Sequence, residues 1–445
     1  MLHSSIVQSL QTALNYLSQV IHWRMSFFND FEQKAPMPMP PEEWLMVETP
    51  LSQLIQTYQF NLVEQLTLLM ALAPHLQPDF FDQWITAQLP QAGDYPQIGG
   101  WRGKSHRGFL PTGETVLFIL GGNQIVDRLR LQQVFREEHP FARERILYLD
   151  SPDKGEPLMS GKLILDQDYI DLFTQGHFSP PHFSMDFPAQ RITTEMEWQD
   201  LVLNAQTLQQ IQDLQSWTIY GSTLLQEWGM KKQLKLGYRA LFNGLPGTGK
   251  TLTASLLGKY TNKDVYKVDL SMVVSKFIGE TEKNLSNLFA RAESKNWILF
   301  FDEADALFGK RTNVRDAHDK YANQEVSYLL QRIENYDGLV ILSSNMKSNI
   351  DDAFIRRFQS IVHFPMPTPK ERSQLWQKAF PAQVKLSRSV NLNQLASDYE
   401  LSGADIMNIV QHCCLQALQR DTTRIEPDDI LQAIKREFTK AGKIV

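Results

Sequence analysis

Residues 244–251 read Gly-Leu-Pro-Gly-Thr-Gly-Lys-Thr. The string satisfies every fixed position of the phosphate-binding pattern GxxxxGK[ST]. Glycines let backbone N–H groups turn inward around phosphate oxygens, where a Cβ would obstruct. Gly244, Pro246, Gly247, Thr248, Gly249, Lys250, Thr251 and Leu252 are the nucleotide-binding residues this pattern predicts. Lys250 reaches the β/γ-phosphates, and Thr251 places its hydroxyl on Mg²⁺. The loop needs a strand before it and a helix after it. Arg239-Ala-Leu-Phe-Asn243 supplies the strand pattern, and the run from Thr251 supplies the helix, whose N-terminal dipole faces the phosphates. The chemistry implied is binding of ATP.

A second string, Trp297-Ile-Leu-Phe-Phe-Asp302-Glu303, is an apolar strand run ending in two carboxylates. A strand end holds Asp302 rigidly in the Mg²⁺-binding role. Glu303 is placed to polarise the attacking water. Phosphoryl transfer is mostly positioning and charge stabilisation, so a γ-phosphate sensor and a cation are also required. Leu339-Val-Ile-Leu-Ser-Ser-Asn345 is another apolar strand ending in a polar amide. Arg356 and Arg357 follow a short helical stretch and supply the cations.

In this order the strings from Gly244 to Phe358 resemble the AAA+ ATPase module, in its classical AAA branch. The resemblance spans roughly residues 198–440. It implies an α/β fold: a P-loop NTPase large domain with a parallel sheet, plus a small helical lid domain. It implies that Asn345 is sensor 1, and that Arg356 and Arg357 are arginine fingers acting on a neighbouring subunit's nucleotide. Tyr336-Asp337-Gly338-Leu339 is similar to the inter-subunit signalling segment. Gly403 and Ala404 fall at the start of the sensor 2 helix, where Ala404 in place of arginine is the classical-branch pattern. Asp200 and Leu201 match the segment laid over the adenine. Lys276, Phe277, Ile278 and Gly279 resemble pore loop 1 of substrate-threading AAA proteins. An aromatic beside a glycine grips a polypeptide without reading its sequence. The charged stretch 309–320 is open to two readings, a second pore loop or a solvated loop.

The composition agrees with a multidomain globular chain. At 445 residues two to four domains are expected. A net charge of −6 gives no general case for nucleic-acid binding. Cys413 and Cys414 are the sole cysteines, and neighbours on a helix pair poorly, so a reducing compartment is expected. No apolar run reaches membrane-spanning length, and a cytoplasmic protein without membrane insertion is expected. His177 and His182 are separated by two prolines and share no helix face. No His-Glu-x-x-His string occurs, so metalloprotease chemistry is not expected here.

Four segments are expected. Residues 1–90 are a helical N-terminal region, with Leu10, Leu14, Leu17, Val20 and Ile21 at helical spacing. A proline-rich break at 36–41 precedes a second helical run from Leu51 to Met70. Trp44 and Trp84 are open to core or partner-surface roles. Residues 98–190 read as a winged-helix-like α+β domain. In it Thr115–Leu120 is a strand or short buried helix, 123–138 an amphipathic helix, and 145–149 and 162–165 strands. Gly103-Lys104-Ser105 is not a second phosphate loop, because Ile98 occupies the first-glycine position. The large ATPase domain covers 195–365, with strands near 239–243, 265–269, 297–301, 339–343 and 360–364. The lid covers 366–445, with a hinge at 365–369 and Ser402 as a helix N-cap.

Gly100–Lys104, Ile146–Ser151 and Phe187–Trp198 resemble stretches of bacterial AAA proteins with a winged-helix-like N-domain. Some of those are encoded with contractile injection systems, the phage-tail-like particles. The combined resemblance implies an ATP-hydrolysing motor that remodels protein substrates as a homo-oligomer, a hexameric ring. The alternatives are a nucleic-acid-directed motor or loader, and an assembly scaffold switched by ATP.

Overall fold

The computed structural model describes residues 2–28, 36–41, 47–91, 93–181, 183–184, 187–273, 280–304, 327–345, 356–440 and 442. Two compact units divide the chain at Pro180/Pro181.

In the first unit the helix Leu2–Ser26 buries Leu10, Leu14, Leu17, Val20 and Ile21 on one face. The predicted second helical run is two helices, Pro50–Tyr58 and Leu62–Leu76. The break has a local cause. Gln59 caps the first helix in the left-handed region, at φ 51°, and Asn61 N-caps the second in a capping box with Glu64. Thr115–Leu120 lies within a helix, Gly113–Gly121, capped at Thr112. The predicted helix over 123–138 is shorter, Ile125–Leu131, and passes into a 3-10 turn ending at Phe135. Strands β1 (Leu147–Leu149) and β2 (Leu163–Leu165) pair antiparallel. All these elements except the helix Ile125–Leu131, whose Leu131 packs with Leu117 and Met159, contribute to one core, so residues from both expected N-terminal segments pack together. Trp84 packs against that core, partly buried. Trp44 lies outside the described residues.

The second unit contains a six-stranded sheet in the order β3-β5-β6-β7-β4-β8. Its strands are β3 (Ala189–Ile192), β4 (Tyr238–Gly244), β5 (Val265–Val268), β6 (Ile298–Phe301), β7 (Leu339–Ser344) and β8 (Ser360–Phe364). Each later strand falls where an apolar run predicts one. β6 shows why, since all four of its residues are buried. Ile298 and Phe300 face a layer containing Ile211, Leu214, Ala254 and Leu257, whereas Leu299 and Phe301 face Leu285, Leu288 and Phe289. A strand covered on both faces reads as a continuous apolar run.

The sheet is not wholly parallel, contrary to expectation. β3 pairs antiparallel with β5 at the edge, and this strand spans the expected boundary between 190 and 195. It is short and polar, with Gln190 and Arg191 exposed, as an edge strand tolerates. Arg191 pins it through a 2.7 Å ion pair to Asp264. The helix Ala205–Gln226 is tied to the other edge, where Thr207 Oγ1 donates to His363 O at 2.6 Å.

Beyond β8 the chain becomes mainly helical, with helices Pro369–Ala379, Leu392–Asp398, Gly403–Gln419 and Pro427–Lys440 around Trp376 and Ile409. The short strands β9 (Lys385–Leu386) and β10 (Arg424–Ile425) pair parallel within it. Among the described residues no helix is long and apolar enough to cross a membrane.

Candidate nucleotide site

The phosphate-loop string forms the turn between β4 and the helix Lys250–Thr261. Gly247 and Gly249 adopt φ of 77° and 99°, which L side chains rarely adopt. Gly247 has a second constraint. A Cβ there would stand 2.5 Å from Ser402 Oγ and 2.7 Å from Ala404 Cβ. The loop thus lies against the start of the helix Gly403–Gln419. Ala404 N–H donates to Gly247 O at 3.2 Å. Ser402 holds that helix start by capping Asp405 N–H, and Asp405 accepts from Ser402 N–H at 2.9 Å in return.

Lys250 is buried, with its ammonium 2.6 Å from Gly244 O, 3.0 Å from Leu245 O and 2.9 Å from Asn345 Oδ1. The parallel pairing of β4 with β7 produces that last contact, because Asn345 follows the end of β7 directly beside the loop. The acidic pair leaves the end of the adjacent strand β6. Ala304 N–H donates to Ser343 O at 2.8 Å and fixes this exit to β7. Glu303 has φ 52°, an uncommon region for a non-glycine residue and a frequent one at functional sites. Its side chain is exposed while Asp302 is half-buried.

Pro246, Gly247, Gly249, Lys250, Thr251, Leu252, Asp302, Glu303, Asn345 and Ala404 line one cleft. The structure therefore brings the expected loop, both carboxylates and the amide together. The Thr251 hydroxyl and the Asp302 carboxylate are hard oxygen donors of the kind that fits Mg²⁺. The sequence reading missed Lys267, on β5, whose Nζ is 2.7 Å from Asp302 Oδ2.

A second cavity adjoins the first and shares Gly247, Gly249, Leu252 and Ala404 with it. Asp200, Leu201, Leu203, Thr248, Pro365, Leu375, Gly403 and Met407 also line it. Both residues of the expected pair, Asp200 and Leu201, thus line it. Asp200 Oδ2 accepts from Glu197 N–H at 2.8 Å and orders the turn, while Leu201 contributes apolar wall. A flat heteroaromatic ring suits a cavity of this kind. Leu203, Leu375 and Met407 were not predicted. Lys378, on the helix Pro369–Ala379, donates to Gln199 O.

Arg356 and Arg357 are both exposed and do not line either cavity. Arg357 Nη1 donates to Glu334 Oε1. Lys276, Phe277, Ile278, Gly279 and the stretch 309–320 lie outside the described residues.

Residues 240–366 match the model of the family described as ATPase family associated with various cellular activities (AAA). The chain is similar to the proteasome-activating nucleotidase of Methanosarcina mazei, 31% identical over 204 residues, which is 44% of this chain and 48% of that protein. It is similar to the vesicle-fusing ATPase of Arabidopsis thaliana, 34% identical over 223 residues, 45% of this chain and 29% of that one. A third relative is the A-like 1 form of the katanin p60 ATPase-containing subunit of Mus musculus, 31% identical over 210 residues, with 44% and 43% covered. The matches span about half the length of the proteasome-activating nucleotidases.

Proposed function

Starting from an AAA ATPase domain at residues 240–366, we propose that this protein is an ATP-hydrolysing motor that remodels protein substrates. The observation that carries the reading is the single cleft lined by the phosphate loop, Asp302, Glu303 and Asn345. The adjoining apolar cavity takes the base. Gly247 and Gly249 turn their amides toward phosphate, and Lys250 exchanges its carbonyl and Asn345 partners for phosphate oxygens. Thr251 and Asp302 would hold Mg²⁺, which would neutralise phosphate charge. Glu303 takes a proton from the attacking water, and Asn345 holds the water or the γ-phosphate in line.

Arg356 and Arg357 line neither cavity of their own chain, which supports a site completed by a neighbouring subunit. A homohexameric ring is the proposed assembly. Lys276, Phe277, Ile278 and Gly279 are the proposed grip on substrate, on the strength of their sequence alone. The relatives named for proteasome activation, vesicle fusion and katanin support protein as the substrate class. Substrate choice is assigned to residues 1–190, and the strings Gly100–Lys104, Ile146–Ser151 and Phe187–Trp198 favour a component of a phage-tail-like contractile particle. The test is ATPase activity of the full chain with and without purified sheath protein of such a particle. Stimulation by that protein and not by DNA supports the reading, and stimulation by DNA alone contradicts it.

A further inference from the structure

Arg239 begins the buried part of the phosphate-loop strand and is 3% exposed. Its guanidinium donates to Gly237 O and Ile333 O at 3.2 Å, to Tyr336 O at 3.4 Å and to Glu334 O. Burial lowers its pKa, against the opposing charges of Glu334 and Asp337. Its main chain is engaged too. Arg239 N–H donates to Gln359 Oε1 at 2.9 Å, and Gln359 N–H donates back to Arg239 O at 3.0 Å. Gln359 lies two residues after Arg357, whose guanidinium is bound by the Glu334 carboxylate. Arg239, Glu334, Arg357 and Gln359 therefore form a closed circuit. One of its members lies on the strand that leads into the phosphate loop.

The two arginines are not equivalent in this arrangement. Arg357 is held by a charge-assisted hydrogen bond inside its own chain. Among the described residues no side chain pairs with Arg356, which is exposed. Fixing Arg357 also fixes the main chain from which Arg356 projects.

We propose that Glu334 is a positioning residue that divides the arginine pair: it retains Arg357 within its own chain, while Arg356 is the guanidinium delivered to the neighbour's nucleotide. The proposal rests on the reading of hydrolysis at a subunit interface. Arg357 then serves as the anchor, and the circuit through Arg239 registers that anchor against the phosphate-loop strand.

The experiment measures kcat and KM for ATP in the full chain, with ADP affinity by calorimetry and a thermal melt for every variant. Arg356→Ala is expected to lower kcat by roughly 10³-fold or more, as loss of a finger does, with ADP affinity unchanged. Arg357→Ala and Glu334→Gln are each expected to lower kcat only about tenfold, the scale of one coupled contact. The double variant Glu334→Gln/Arg357→Ala should match either single one, because both remove the same contact. The exchange Glu334→Arg/Arg357→Glu should recover turnover. Loss in Arg357→Ala as large as in Arg356→Ala, or full turnover in Glu334→Gln, would overturn the proposal while leaving the interface reading intact. Full turnover in both arginine variants would overturn that reading and the proposal with it. If Glu334→Gln fails to fold, the exchange decides, and a folded exchange without recovery overturns the proposal.

Discussion

Lys250 Nζ lies 2.9 Å from Asn345 Oδ1, in the cleft that both residues line. The contact joins the first residue of the phosphate-loop helix to the end of β7. It predicts separable roles for the two side chains. Lys250→Ala should lose ATP binding. Asn345→Ala should retain binding and lose turnover by roughly 10²-fold, as when one preorganised polar group is removed from a transition state. Equilibrium binding and steady-state rates measured side by side check this, and wild-type turnover in Asn345→Ala would refute the sensor role.

The loop and the helix Gly403–Gln419 also depend on each other. Ser402 caps the helix whose first turn touches Gly247. Ser402→Ala should cost about 1 kcal/mol, the usual value of an N-cap, measured by denaturant unfolding. Gly247→Ala should do more damage to nucleotide affinity than to stability, because the φ of 77° and the contact with Ser402 both oppose a Cβ. An unaltered nucleotide Kd in Gly247→Ala would contradict this account of the loop.

The helices after β8 carry an acid-sensitive contact. Arg420 holds the Asp429 carboxylate at 2.7 Å, with burial opposing and the Glu426 amide assisting, and the Asp429 pKa is lowered. A carboxyl with a depressed folded pKa contributes stability that is fully present above its unfolded value. That contribution is lost as pH falls through the folded value. Asp429→Asn should therefore flatten the acid limb of a stability profile while changing the neutral region by a constant amount. An acid limb identical to that of the wild type would remove Asp429 from this role.

How much of this was legible beforehand varied with the distance over which each feature is encoded. The phosphate loop, the Asp302–Glu303 pair and five strands were evident because each is a contiguous string with a local cause. Strand β3 was not, because Ala189-Gln-Arg-Ile192 is short and half polar, and only its pairing with β5 makes it a strand. Leu375 and Met407 in the cavity adjoining the phosphate-loop cleft, Lys267 beside Asp302 and Glu334 beside Arg357 are products of tertiary packing. No periodicity announces them.

Cys413 and Cys414 give a simple check of the core around Trp376 and Ile409. Burial pushes the Cys413 thiol up to about 12, with Asp429 adding to the effect. Cys414 is less buried, and burial raises its pKa as well. A thiolate-selective alkylating reagent at mildly alkaline pH should label Cys414 first, as peptide mapping would show. Preferential labelling of Cys413 would place the helix Gly403–Gln419 in a different rotation.

Oligomeric action can be tested by mixing defective subunits. An Arg356→Ala protomer keeps its phosphate loop, and a Lys250→Ala protomer keeps its arginines. A shared interface can thus contain one complete site. Partial recovery of ATPase in the mixture is expected. No recovery, in assemblies shown to be mixed, would mean that Arg356 acts within its own chain.

The central claim is that this cleft hydrolyses ATP with Glu303 activating water. Single-turnover hydrolysis by Glu303→Gln, measured together with ATP affinity, tests it most directly. The amide keeps the shape and the left-handed backbone but cannot accept the proton. The account predicts ATP bound with near wild-type affinity and turnover slowed roughly 10²-fold or more. Hydrolysis at the wild-type rate would contradict it.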